Sequence, residues 1–199
     1  MGDIADAVNE QLERARESKL NSAIALVVAV AATVMALGNV KDGNITQAMA
    51  QAQAAMVDQW SYYQAKGTKQ NLAEATADHL EVQLATAGGL SPEGRAVLEK
   101  KIADYQSKAR VYEVEKAEIK KTAEGYQATY DRLNYRDDQF DMGEACLSLC
   151  VAIMGITALT QRRWLFGFGM TFAVLGLLFE VAGFFGLPFH PDFLAKFLG

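Results

Sequence analysis

Three apolar runs, one ahead of a long polar stretch and two behind it, limit what this chain can fold into. Residues 20–40 read LNSAIALVVAVAATVMALGNV without a charge. Residues 145–160 read ACLSLCVAIMGITALT, and 164–187 read WLFGFGMTFAVLGLLFEVAGFFGL. A bilayer core takes roughly 17–25 helical residues to cross, so the first and third runs are long enough alone. The second is shorter, but it continues a helical pattern and stops at Arg162-Arg163. The expected fold is an all-α membrane protein with transmembrane helices at 20–40, 144–161 and 164–187. A long antiparallel helical hairpin, coiled-coil-like, forms a stalk between the first and second.

The mean hydropathy of +0.02 averages a polar middle with apolar ends. Between Lys41 and Glu144 thirteen Lys/Arg face seventeen Asp/Glu, with no basic patch of the kind that binds nucleic acid. Pro is scarce there, Ala, Gln, Glu and Lys dominate, and no period-two alternation argues for a strand. The segment 1–19 is acidic as well as basic. It lacks the short basic lead of a cleaved signal, so 20–40 reads as a retained anchor. Asp6 stands where myristoylation wants Ser or Thr.

Within 41–143 two arms are expected, 44–87 and 91–143. In the first, Ile45, Met49, Ala52, Met56, Trp60 and Tyr63 recur at helical spacing on one face. Gly88-Gly89 ends it, and Ser91-Pro92-Glu93 restarts a helix with a capping residue, an N1 proline and an early acid. The second arm carries a seam at steps of four and three. It comprises Leu98, Ile102, Tyr105, Ala109, Tyr112, Lys116, Ile119, Ala123, Tyr126, Tyr130, Leu133, Asp137 and Phe140. At 1.5 Å per residue the arms are roughly 65 and 75 Å long. Two helices bury little area, and seam tyrosines need partners for their hydroxyls. Stalks from several subunits are therefore expected to bundle, with Trp60, Tyr62, Tyr63, Tyr105, Tyr112, Tyr126 and Tyr130 in the packing. The alternative is a hairpin that breaks at Gly67 and folds back into four helices.

Val40-Lys41-Asp42-Gly43-Asn44-Ile45, Gln47-Ala48, Gln51-Ala52-Gln53 and Trp60-Ser61-Tyr62-Tyr63-Gln64-Ala65-Lys66 resemble an uncharacterised bacterial membrane family, DUF4337. The resemblance covers nearly the whole chain and implies a multi-pass protein of the bacterial inner membrane. It brings no activity, cofactor or catalytic residue.

The spans carry the sharpest signals. Ser22, Ala25, Ala29, Ala32, Ala36, Asn39 and Gly43 form a small-residue stripe in the first, and Gly169, Ala173, Gly176, Glu180 and Gly183 form another in the third. Small residues let membrane helices approach closely, so both stripes are expected packing faces. Glu180 is the acid on the glycine face, about 24 Å along the helix from Trp164. An ionised acid at mid-bilayer costs at least ~2.5–3.5 kcal/mol, and less toward the stalk side, where Glu180 lies near the levels of Glu144, Ser148 and Asn39. It is the candidate ion or proton site, with an interhelical hydrogen bond or snorkelling as the structural reading.

Other chemistry finds no support. Gly167 and Gly169 lack the third glycine and the strand of a nucleotide loop. His79 and His190 have no ligand neighbours at metal spacing, and Cys146 and Cys150, one turn apart in an apolar run, read as small fillers. Asn44-Ile45-Thr46 matches a glycosylation pattern but adjoins a span. No cofactor is expected. Ile4, Val8, Leu12 and Ala15 suggest an interfacial helix over 1–19, and Phe193, Leu194, Phe197 and Leu198 suggest another over 188–199. Arg14, Arg16, Lys19, Arg162 and Arg163 share one side of three spans, which assigns that side to the cytoplasm and the stalk to the periplasm. The reverse orientation resembles the proton-driven stator units of bacterial energy-transducing complexes. The functional expectation is a homo-oligomer without enzymatic activity, contacting membrane lipid and itself, with a scaffolding or assembly role. A proton- or ion-conducting oligomer using Glu180 and a signal-transducing receptor are the alternatives.

Overall fold

A computed structural model describes residues 2–189, with side chains described at 11, 14 and 16–189. It contains three helices: α1, Gly2–Thr86; α2, Pro92–Thr160; and α3, Arg163–Phe185. No strand occurs among the described residues. Each helix holds a stretch long and apolar enough to cross a membrane. α1 runs unbroken through 19–20, through 40–44 and through Gly67, so neither a separate N-terminal helix nor a break at Gly67 is present. The side chains of Ile4, Val8, Leu12 and Ala15, and the whole of 190–199, lie outside the described residues.

The joint between α1 and α2 follows its residues. α1 stops at Thr86 and Gly89 takes φ +93°, which costs least at glycine. Ser91 Oγ then accepts the Gly94 amide at 3.1 Å, capping α2, whose first residue is Pro92. The second joint is less regular. Gln161 adopts φ +57° and donates its amide to Asn21 Oδ1 and to the Ala158 carbonyl. α3 closes on Gly186 in the left-handed region, with the Leu187 amide on the Ala182 carbonyl at 3.0 Å.

The described chain divides into two compact units: one contains α1 up to Ala48 together with 132–189, and the other is Met49–Asp131. In the first unit, α2 and α3 are drawn together by glycines. A methyl added at Gly169 would meet Met154 and Ile153, at Gly176 the Leu147 side chain and the Gly143 carbonyl, and at Gly183 the Phe140 ring. Gly169, Ala173, Gly176, Glu180 and Gly183 are all buried. On α2 the buried row Phe140, Gly143, Leu147, Cys150, Met154 and Thr157 carries the 3-4 seam onward into the second apolar run.

Inside this unit α1 packs by a face other than its small-residue stripe. Ser22, Ala25, Ala29, Ala32, Ala36, Asn39 and Gly43 are all exposed. Ile24, Ala31, Gly38 and Ile45, seven residues apart, are buried instead, and Ile24 joins Cys150, Met154 and Ala173 in one apolar cluster. The physical reason is that this face supplies a large side chain to the cluster while Gly38 admits Glu180. An alanine stripe alone offers closeness but little area to bury.

In the second unit Met49, Ala52, Ala73 and Ala77 of α1 and Ile102, Ala109, Ile119 and Ala123 of α2 are buried. Near Gly67 the packing turns polar. Lys66 pairs with Glu115 at 2.5 Å and lies over the Tyr62 and Tyr112 rings, while Lys116 donates to Gln70 at 3.1 Å and lies over Tyr63. The hydrogen bond to Glu115 holds the Lys66 ammonium above its ordinary range. Trp60 meets Tyr63 edge to face. Trp60, Tyr63, Tyr105, Tyr112, Tyr126 and Tyr130 are half-buried, whereas Tyr62 is exposed.

Candidate functional site

All three helices of the first unit contribute to one acidic junction. Glu180 of α3 is 2 % exposed, an unusual degree of burial for a carboxyl side chain. Two glycines make room for it. A methyl at Gly38 of α1 would fall 2.5 Å from Glu180 Oε2, and one at Gly143 of α2 would fall 2.9 Å from its Cγ. Glu180 Oε2 has no hydrogen-bond partner within the protein. The charges of Glu144 and Asp42 act on it directly.

Asp42 is the second member. Burial is the chief cause that pushes its carboxyl up to about 7, followed by a hydrogen bond shared with Asp137 and the charges of Asp137, Asp141 and Glu144. Its Oδ1 is buried without a partner. A hydrogen bond between two carboxyls needs a proton, so the contact with Asp137 favours the protonated form of Asp42. Thr46 Oγ1 links this pair to α1, donating to Asp137 Oδ1 at 3.0 Å or to the Asp42 carbonyl at 3.1 Å. Asp141 is pushed up by burial and by the charges of Asp137, Asp138 and Glu144.

Donors at the same end come from α2. Arg136 donates from Nε and Nη2 to the Gly183 carbonyl at 3.1 and 2.8 Å, and from Nη2 to the Phe184 carbonyl at 3.2 Å. Gln139, fully buried, donates to the carbonyls of Leu187 and Phe189. Arg136 thus satisfies carbonyls in the last turn of α3, and Gln139 ties down the segment that follows it.

The sequence identified Glu180, and the structure adds Asp42 and Glu144 beside it, with Asp137 and Asp141 beside Asp42. Gly38 and Gly143 escaped sequence reasoning, although both are glycines inside strong helix patterns, where glycine costs about 1 kcal/mol and signals close packing. Arg136, one turn before Phe140, and Gln139, next to it, left no signal of their own. Among the described residues no group of His, Cys, Asp and Glu has metal-binding geometry. The junction can hold and exchange protons, and it can brace three helices against one another. Cys146 and Cys150 are both free thiols, the second buried.

Neither the curated proteins nor the solved structures contain a match to this chain. A family model, described as a domain of unknown function, DUF4337, matches residues 20–186, which takes in the three apolar runs and the polar stretch between them. The chain belongs to the DUF4337 family.

Proposed function

We propose that the chain is a non-enzymatic, homo-oligomeric integral membrane protein of the bacterial inner membrane. Three spans anchor an antiparallel helical hairpin that serves as a scaffolding or assembly element, on the periplasmic side. The observation that carries this reading is the uncovered small-residue face of α1. Ala25, Ala29, Ala32 and Ala36 are exposed while the chain's own helix contacts use Ile24, Ala31 and Gly38. In a bilayer such a face is where a second helix packs closely. Contacts in the second unit support the hairpin: Lys66 reaches Glu115, Gln70 meets Lys116, and Glu81 meets Gln106, so numbers rise along one arm as they fall along the other. Val57, Leu72, Val82, Val97, Val111 and Val114 remain exposed on it, apolar surface that neighbouring copies would cover.

The test is the mass of the full chain in lipid nanodiscs, alone and with Ala29→Leu/Ala32→Leu. Oligomers that dissociate in the variant support the reading, since those side chains are exposed in one chain. A wild-type monomer overturns it. Orientation is tested separately by impermeant labelling of Ser91→Cys in a Cys146→Ala/Cys150→Ala background in intact cells. Protection of that cysteine would place the hairpin on the cytoplasmic side.

A second reading is favoured by Glu180 and its unpartnered Oε2 beside Asp42 and Glu144. In it the oligomer passes or couples protons, with Glu180 as the exchanging group. Proton flux into liposomes above the empty-vesicle level, lost in Glu180→Gln, would support it, and flux equal to empty vesicles would remove it.

A further inference from the structure

Basic side chains of α1 and the α2–α3 turn converge at the other end of the spans. A cleft of about 480 Å³ is lined by Arg16, Glu17, Leu20, Gln161 and Arg163. An adjoining cleft of about 270 Å³ shares Arg16, Leu20 and Arg163 and adds Lys19 and Phe166. Three bases thus face one acid above two apolar side chains. Leu20 opens the first apolar run and Phe166 lies just inside the third, so the clefts sit at the level where lipid headgroups begin.

The turn beside them is fixed. Gln161, at φ +57°, is tied through its amide to Asn21 Oδ1 at 2.9 Å and the Ala158 carbonyl at 2.6 Å. Its Oε1 is buried and accepts no hydrogen bond from the protein. α3 begins at Arg163, and its N-cap, Arg162, places no side-chain oxygen on the first amides. The positive end of that helix therefore adds to the field of the three bases.

We propose that these joined clefts bind the phosphate of an anionic phospholipid. Arg16 and Arg163 hold the phosphate oxygens, a role suited to the planar guanidinium, and Lys19 adds a third charge. The acyl chains lie over Leu20 and Phe166, and Gln161 Oε1 accepts from a headgroup hydroxyl. Basic pockets between transmembrane helices recognise lipid headgroups in this manner. Free phosphate offers the same charge but nothing for the apolar floor. The site requires that the helices cross a bilayer; it does not require association between copies.

The experiment uses the full chain purified in a mild nonionic detergent, titrated separately with phosphatidylglycerol, phosphatidylcholine and inorganic phosphate. Native mass spectrometry reads retained lipid and thermal unfolding reads protection. Phosphatidylglycerol is expected to stay bound and raise the midpoint, while the other two do neither. Arg16→Gln and Arg163→Gln each weaken retention roughly 5-fold and the pair roughly 30-fold, from the usual worth of one basic residue near an anionic surface. Arg16→Lys and Arg163→Lys keep the charge and most of the affinity, which separates charge loss from misfolding. Arg162→Gln, which lines neither cleft, leaves retention unchanged. Equal retention of phosphatidylcholine, or an equal effect of Arg162→Gln, overturns the site. Equal protection by inorganic phosphate overturns the lipid assignment. A chain that stays monodisperse without detergent overturns the membrane reading itself.

Discussion

Arg136 of α2 holds the Gly183 carbonyl of α3 with two nitrogens, Nε at 3.1 Å and Nη2 at 2.8 Å. A cation at a helix C-terminus is favoured by the helix dipole, and here it also satisfies carbonyls without an intrahelical partner. Arg136→Met is expected to destabilise the first unit by about 1–2 kcal/mol. Arg136→Lys should recover part of that, because the charge returns without the fork. Limited proteolysis after α3, compared across the three proteins, checks the local loss. Equal resistance in all three would mean the contact is incidental.

The glycines of α3 divide into two kinds. A methyl at Gly176 would lie 2.7 Å from Leu147 Cγ and 3.0 Å from the Gly143 carbonyl, whereas nothing stands within 4 Å of Gly167. Backbone cannot yield as a side-chain tip does. Gly176→Ala should therefore cost about 1–3 kcal/mol, while Gly167→Ala should be neutral or stabilising through its better helix propensity. Thermal unfolding of both variants in detergent decides, and equal midpoints would contradict the close α2–α3 approach.

Gly38 and Glu180 form a second, reciprocal test. A methyl at Gly38 falls against both Glu180 carboxyl oxygens, at 2.5 and 2.6 Å. Gly38→Ala alone should destabilise, since it must displace a buried side chain. Glu180→Ala should also destabilise, by leaving space among three helices. Combined, the added methyl occupies part of the vacated space, so the double variant should lose less than the sum, with a coupling of about 1 kcal/mol or more. Strict additivity would mean that the two side chains do not share one site.

Much of this fold is legible from local chemistry. Ser91, Pro92 and Glu93 mark the start of α2 because capping and the proline ring act within one turn. The seam from Leu98 to Phe140 reads correctly because burial on a helix repeats at fixed spacing, and every member is buried or half-buried. The face by which α1 packs inside the chain gave no sequence signal. Its alanines are periodic on the exposed side, while the buried side mixes Ile24, Ala31, Gly38 and Ile45, a set without a uniform size. Glu180 announced itself as an acid in an apolar run. Its setting did not, since Gly38, Asp42 and Gly143 are brought to it by packing between helices distant in sequence. Gln161 took the left-handed region with neither Gly nor Asn to signal it.

Asp42 ties the junction to pH. Its carboxyl is raised from 3.8 to about 7, first by burial and then by Asp137, Asp141 and Glu144. The folded state thus holds this proton more tightly than the unfolded chain does. The stability that comes with it is fully present below about pH 4 and is lost as pH rises through about 7. Asp141, raised by burial and like charges, pulls in the same direction. Asp42→Asn carries no titrating proton yet can still donate to Asp137, so its stability should depend less on pH across that window. The difference in unfolding midpoint between variant and wild type should therefore grow in the variant's favour as pH rises. A difference that stays flat from about pH 4 to about pH 8 would show that Asp42 ionises in the folded protein without penalty, and that its proton is not shared with Asp137.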